Sequence, residues 1–461
     1  MTILPRIAPL VIALLGSACM SVPKPPATVA PASATGAFAE LPVASIEPVP
    51  DDWWRLYEDP ALDELVRSAL AANADLRVAY ANLDGARAAL RQALAARLPQ
   101  TTIESALGVD NPASQPSASG NVPTTDYDIA ATASWDIDLF GRLRSASTAA
   151  RADAEAQAAI VDGLRVAVVA DTVLAYVDLC GTTRAIEAAR AVAAAQDRSV
   201  SLVREQLRAG EVSPLEVSQV ATIAAATRAA IAPFEAQRAN ALYRLATLQG
   251  RPPAEATSYS FACKTPSRLR TAAPVGDGTA LLLRRPDVRE AERRLAAAAA
   301  RVGVARADLY PRVNFGGALG LLSGGFKAVA SPLVTWAFPN QAPARTKLEQ
   351  ARATERAALA GWDVAVLRSL REVETALAAY DAETRRNRDL ALASGEAQAY
   401  VRRAGARVRL GDAPGLLQVD AQRSLASATL QQIQSDLLVS QSEVALFRAL
   451  GGGWRTDAAA R

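Results

Sequence analysis

The sequence predicts a mainly α-helical chain with a membrane β-barrel segment, built as two similar halves. Three observations predict it. The first is a duplication: "Leu207-Arg-Ala-Gly-Glu-Val-Ser-Pro-Leu" is echoed by "Leu410-Gly-Asp-Ala-Pro-Gly-Leu", with Gly210 and Gly411 placed 411 − 210 = 201 positions apart. Gly250 and Gly451 close the halves at the same offset, whereas the Ala-Leu-aromatic-Arg words at Ala241 and Ala445 stand 445 − 241 = 204 apart, which reads as a shift of three residues. A repeat on this scale organises the whole fold. The second observation is two long helical stretches, about 141–208 and 345–410. At 1.5 Å per residue each is a rod of roughly 100 Å, which suits a coiled coil or a helical tube. The third is a set of segments of about ten residues that alternate apolar and polar, the length a tilted membrane strand needs.

Composition narrows the function. Of the 461 residues 50 are basic and 47 acidic, a net charge of +3 with no clustered excess to suggest nucleic acid. There is no histidine, which removes His-based triads, dyads and zinc sites but not carboxylate, Lys or Tyr chemistry. Apolar residues reach 50% with aromatics at 5%. The apolar content is largely alanine, the residue of close-packed helices.

The N-terminus reads as an export signal over 1–18: Arg6, then the short apolar run 7–15, then "Gly16-Ser-Ala-Cys19". The small residues before Cys19 resemble a bacterial lipobox, which would make Cys19 a lipidated N-terminus anchored by acyl chains. Plain cleavage near Ala18 is the alternative. Residue 20 is Met rather than the Asp that marks inner-membrane retention. Residues 19–50 form a Pro/Ala-rich linker expected to lie extended over the surface. The first repeat occupies 51–252, an inter-repeat linker 253–278, the second repeat 279–451 and a tail 452–461. Cys180 and Cys263 are either a disulfide or two buried thiols.

Within the first repeat, Pro60 to Leu98 shows helical spacing that Pro99 ends. A β-hairpin follows at about 102–137. Its second strand alternates Tyr127, Ile129, Ala131, Ala133 and Trp135 with Asp126, Asp128, Thr132, Ser134 and Asp136, one apolar face against one acidic, hydroxylated face. A hairpin packed on a soluble core would show the same alternation. The long helix then turns at 209–214 and returns over 215–249. The second repeat has the same plan: a helix over 279–309 entered through "Arg284-Arg-Pro-Asp-Val-Arg289", a hairpin at about 312–338, a long helix, a turn at 411–414 and a return to Leu450. The Arg284–Arg289 charges read either as an anion site or as a Pro-led helix start with surface ion pairs. Four strands cannot close a barrel, and an open edge is not tolerated in lipid. Three copies in a cyclic trimer would give twelve strands.

Five words now carry a family resemblance: "Trp53-Trp-Arg-Leu-Tyr-Glu-Asp-Pro", "Trp135-Asp-Ile-Asp-Leu-Phe-Gly-Arg", "Leu283-Arg-Arg-Pro-Asp-Val-Arg", "Asp308-Leu-Tyr-Pro-Arg312" and "Leu446-Phe-Arg-Ala-Leu-Gly-Gly-Gly-Trp454". The chain resembles the TolC-like outer-membrane factors, in the NodT-type lipoprotein subgroup. The resemblance implies a homotrimer lodged by a twelve-stranded barrel in the bacterial outer-membrane lipid, continuous with a periplasmic α-helical barrel. It implies the passive exit duct of a tripartite efflux system for small molecules such as drugs or metal ions. Its partners would be a periplasmic adaptor and an inner-membrane RND-type transporter; it would use no cofactor or metal and do no chemistry. Asp420 falls where the family places an acidic pore ring; Leu417 replaces a second acid, and Glu216 holds the matching slot of the first half (417 − 216 = 201). The other reading of Asp420 is a carboxylate paired with Arg423. Gly210, Ser213, Pro214 and Leu215, with Gly411, Pro414, Gly415 and Leu416, resemble the tips that meet the adaptor, though Gly and Pro also simply reverse a helix. Asp126, Asp128 and Asp136 would line the barrel lumen. A type I protein-secretion duct and a lipid-anchored coiled-coil protein without a pore remain the competing readings; an enzyme lacks any motif.

Overall fold

The computed structural model describes residues 22–30, 35–38, 44–45, 47–110, 124–258, 273–322 and 325–452. In chain order the elements are β1 (Ala44–Ser45), α1 (Pro60–Ala72), α2 (Ala74–Ala95), β2 (Gln100–Asp110), β3 (Thr124–Ile137), α3 (Arg142–Arg208), α4 (Pro214–Ala229) and α5 (Ile231–Leu248). They continue as β4 (Ala273–Pro274), α6 (Gly278–Arg284), α7 (Pro286–Ala307), β5 (Arg312–Leu322), β6 (Gly325–Thr335), α8 (Ala342–Arg409) and α9 (Gly415–Ala449). The chain divides into two compact units. One holds the sheet, with Ala81–Ala159 and Arg289–Ala365; the other holds Ala30–Tyr80, Ile160–Val288 and Val366 onward.

In the sheet unit the strands run β2-β3-β5-β6, all antiparallel neighbours. The register puts Ile103 beside Ala131, Trp135 beside Phe315 and Phe315 beside Pro332. The apolar residues therefore share one face, as their period-two spacing requires. Asp136 registers opposite Asn314, and Thr132 opposite Thr102 and Ala318, on the other face. Ile103, Phe315, Leu319 and Val334 are all exposed. Two tryptophans pin the sheet base to its helices. The Trp135 indole donates to the Arg97 carbonyl at 3.0 Å, and the Trp336 indole to the Leu309 carbonyl at 3.2 Å.

The helical unit is a layer of antiparallel rods. On one flank of α3, Arg190 pairs with Glu235 and Arg244 with Asp178, which joins α3 to α5. Toward α9, Gln441 donates to Asp178 at 2.8 Å and Arg448 pairs with Asp171. Asn387 of α8 donates to Asp436 of α9 at 2.7 Å. The order is thus α4/α5, α3, α9, α8. A core of Trp53, Leu62, Val66, Val173, Tyr176, Val439, Leu446 and Phe447 fills one end, with Trp53 stacked on Phe447 at 4.6 Å.

Four expectations are revised. The first helix is not continuous from Pro60 to Leu98: Asn73 interrupts it, accepting from the Leu76 amide at 3.0 Å as an N-cap for α2. The return stretch 215–249 is two helices, parted at Ala230, because Pro233 has no N–H and its ring meets the carbonyl four residues back. The opening helix of the second repeat is not continuous over 279–309 either: Arg285, in extended backbone, parts α6 from α7. The 204 spacing is the expected shift of three residues. The return segments 214–248 and 415–449 match end to end, and fully buried Leu245 and Leu446 keep 446 − 245 = 201; the shared word is displaced by nearly one helical turn. The N-terminal linker does more than lie on the surface. Phe38 and Val49 enter the core, and β1 pairs in parallel with β4 of the inter-repeat linker.

Candidate functional site

The two helix reversals are near copies. Gly210 and Gly411 take φ of 76° and 73°, a left-handed turn that glycine enters without a Cβ penalty. Beyond each, an amide reaches back across the turn: Glu211 N to Gln206 O, and Asp412 N to Arg407 O, both at 2.9 Å. These bonds satisfy the orphan carbonyls of α3 and α8.

The two return helices start differently. Ser213 and Glu216 form a capping box at Pro214. The Glu216 carboxylate accepts from the Ser213 amide at 3.0 Å and from its hydroxyl, and these bonds, the hydroxyl foremost, hold its carboxyl below the usual range. Glu216 is thus engaged with its own cap. The second return helix begins at Gly415 after Pro414, with no side-chain cap; instead Arg407 Nε donates to Asp412 at 2.9 Å. Leu215, Leu410 and Leu416 stand exposed, Leu410 most of all at 82%.

Asp420 sits one turn inside α9. Its Oδ1 accepts from Arg423 Nη2 at 2.6 Å and its Oδ2 from the Tyr400 hydroxyl of α8 at 3.3 Å. The Arg423 pairing expected on the plainer reading is present, and Tyr400 is a partner that the sequence did not flag. Partial desolvation, then the Asp420 charge, raises the Tyr400 hydroxyl. The matching slot of the first half holds Gln219, whose Oε1 is buried without a hydrogen-bond partner.

Asp136 is ion-paired with Arg142 at the start of α3. Asp126 and Asp128 register opposite Gly108 and Ala106. Asp138, not singled out from the sequence, accepts from the Leu143 and Arg144 amides and so caps α3; an Asp just ahead of a long helix was the available signal. Cys180 is buried and disulfide-bonded; Cys263, its expected partner, and Cys19 lie outside the described residues.

The Arg284–Arg289 stretch opens a helix at Pro286, but its first two arginines are not surface ion pairs. Arg284 donates to the Val49 and Pro50 carbonyls and pairs with Asp51 at 2.6 Å. Arg285, only 8% exposed, pairs with Asp287 and Glu372 at 2.7 Å and donates to the Ala449 carbonyl at 2.7 Å. The last bond ties the C-terminus of α9 to the residue just ahead of α7. In the first repeat Asn73 does the same service, donating to the Leu248 carbonyl at 3.2 Å.

A duplicated plan of this kind, with an amphipathic antiparallel sheet and two paired helix hairpins, is the plan of the outer-membrane channels it superposes on. The family model described as outer membrane efflux protein matches residues 65–251 and 279–452, and the chain belongs to that family. It is 30% identical to the toluene efflux pump outer membrane protein TtgF of Pseudomonas putida, over 95% of each chain. It is also 30% identical to the outer membrane protein OprJ of Pseudomonas aeruginosa, over 97% of this chain and 96% of that one. The solved structure of the outer-membrane channel OprN superposes with a TM-score of 0.86 at 32% identity, covering 93% of this chain and 99% of the other. The chain is an outer-membrane component of an efflux system.

Proposed function

We propose that three copies of this chain form the passive exit duct of a tripartite efflux system that expels small molecules such as drugs or metal ions. A periplasmic adaptor and an inner-membrane RND-type transporter supply contact and energy. The observation that carries this reading is the sheet: among the described residues, four strands with one apolar face and an unpaired edge on both β2 and β6. Such a sheet is stable in lipid only when other copies close it. The relatives support the cargo class, since one is named for toluene efflux.

The tips take the adaptor in this reading, with Leu215, Leu410 and Leu416 as its apolar contacts. Asp420 contributes a ring of three carboxylates near the pore axis, where cations collect. Arg423 and Tyr400 restrain each carboxylate, and Glu216, held by Ser213, adds little. Asp126, Asp128 and Asp136 face the lumen. Cys19 carries the lipid, as the small residues Gly16-Ser-Ala before it support. The Cys180 disulfide closes on Cys263.

The test is conductance of the detergent-extracted protein in planar bilayers, with drug and metal susceptibility of a deletion strain. Channels from a heat-modifiable trimer, together with lost resistance, are expected. A non-conducting monomer would end the reading. Asp420→Ala should weaken block by divalent cations, and unchanged block would remove Asp420 from the pore. Protein secretion lost with resistance intact would favour the secretion duct instead.

A further inference from the structure

The duplication has two offsets, and together they fix how one copy pairs with the next. The elements α2, β2, α7 and β5 are related by 212 positions: Ala74–Ala95 maps onto Pro286–Ala307, and Gln100–Asp110 onto Arg312–Leu322. From β3 onward the offset is 201, as for Trp135 and Trp336 and for Gly210 and Gly411. These offsets carry pairing as well as position. Gln100 pairs with Ser134; adding 212 and 201 gives Arg312 and Thr335, which pair in the second hairpin.

The sheet contains one junction between repeats, β3 with β5, in which Ile129 faces Leu321, Ala133 faces Gly317 and Trp135 faces Phe315. Carried forward by 201 on β3 and back by 212 on β5, that junction becomes a pairing of β6 with β2. Among the described residues of one chain those are the two unpaired edges of the sheet, so the pairing joins different copies.

We infer that β6 of one copy pairs antiparallel with β2 of the next in the register Ala330–Val109, Val334–Ser105 and Trp336–Ile103. This rests on the trimeric reading and deepens it, from a closed ring to a residue-by-residue seam. Face parity agrees. Ala330 and Val334 share the apolar face of β6, with Trp336 at the same parity one residue beyond its end, and Ile103, Ser105 and Val109 share that of β2. A slip of one residue would turn Glu104 onto the apolar side, so it is excluded. Slips of two residues keep the faces and are the real competitors. Ile103, at 82%, and Val334, at 60%, are among the most exposed apolar side chains of the sheet unit, as residues awaiting a partner strand should be.

The experiment uses the full chain extracted from outer membranes. Directly opposed cysteines meet disulfide geometry, whereas diagonal neighbours about 7–8 Å apart do not. Ser105→Cys with Val334→Cys should give a covalent trimer on mild oxidation, reversed by reductant, at least tenfold above either single variant. The off-register pairs, Val334→Cys with Ile103→Cys or with Leu107→Cys, should stay near background. Glu104→Cys with Thr335→Cys repeats the test on the opposite face, should the first pair disturb folding. An off-register pair that cross-links as well as the in-register one overturns the register while leaving the trimer standing. A monomeric mass for the extracted wild-type protein overturns both.

Discussion

Single carboxylates in this chain are set by what they touch. Glu216 is held low, foremost by the Ser213 hydroxyl, so its contribution is present above its unfolded value near 4.5 and is lost as pH falls through the lower folded value. Glu216→Ala should therefore speed hydrogen exchange at the Ser213 and Leu215 amides several-fold at pH 7, and make no difference in strong acid. Asp178 lies at the other extreme. Burial raises its carboxyl, against the opposing pull of Gln441 and Arg244. A raised carboxyl favours the fold most below its unfolded value, and that advantage disappears as pH rises through the folded one. Asp178→Asn should melt no lower than wild type at pH 7, with the two curves diverging as pH rises from the unfolded value through the folded one and running parallel above it. A drop of several degrees at pH 7 would mean that the Arg244 contact outweighs burial.

Elements in this molecule are joined by caps that differ between repeats although the joint is the same. Asn73 and Arg285 each bond the last carbonyls of a returning helix, one as a neutral amide and one as a buried cation. A cation there also meets the negative end of the α9 dipole. Arg285→Ala strands two carboxylates and a carbonyl and should cost about 3 kcal/mol, against roughly 1 kcal/mol for Asn73→Ala, read as loss of thermal stability in detergent. Gly250→Ala should be severe, because φ is 68° and the new Cβ would stand 2.6 Å from the Ala72 carbonyl oxygen. The long rods, the turns and the strand faces were legible in the sequence, since helical and period-two spacing each impose a pattern on every residue. The breaks at Asn73, Ala230 and Arg285 were not. Each is a single-residue interruption, extended at Asn73 and Arg285 and still helical at Ala230, with helical apolar spacing on both sides and no glycine to mark it. The burial of Arg284 and Arg285 was hidden for another reason: their partners, Val49, Asp51, Glu372 and Ala449, are remote in sequence.

At the scale of the whole molecule the sheet decides the environment. Among the described residues no helix is long and apolar enough to cross a membrane; in the proposed barrel it is the apolar strand face that meets lipid. A cation placed there should cost about 2–4 kcal/mol near mid-bilayer and little on the opposite face. Leu319→Arg should therefore lower outer-membrane yield sharply while Thr132→Arg is tolerated; equal yields would mean that the faces are misassigned. The site was only partly legible. The tip glycines stood out because they repeat across the halves, and Asp420 through the family resemblance, but Tyr400, which reaches Asp420 from another helix, had no local signal.

The hairpin connections hold one more consequence. Asp110 and Thr124 are paired across 13 intervening residues, and Leu322 and Gly325 across two. That difference of 11 is the whole of the change from 212 to 201. One residue added inside a helix would turn everything beyond it by about 100° and misplace each packed face, whereas residues added between paired strand ends disturb nothing downstream. Divergence in length between the halves has collected at that one permissive point, which makes 111–123 the place to insert an epitope or a fluorophore without altering the frame.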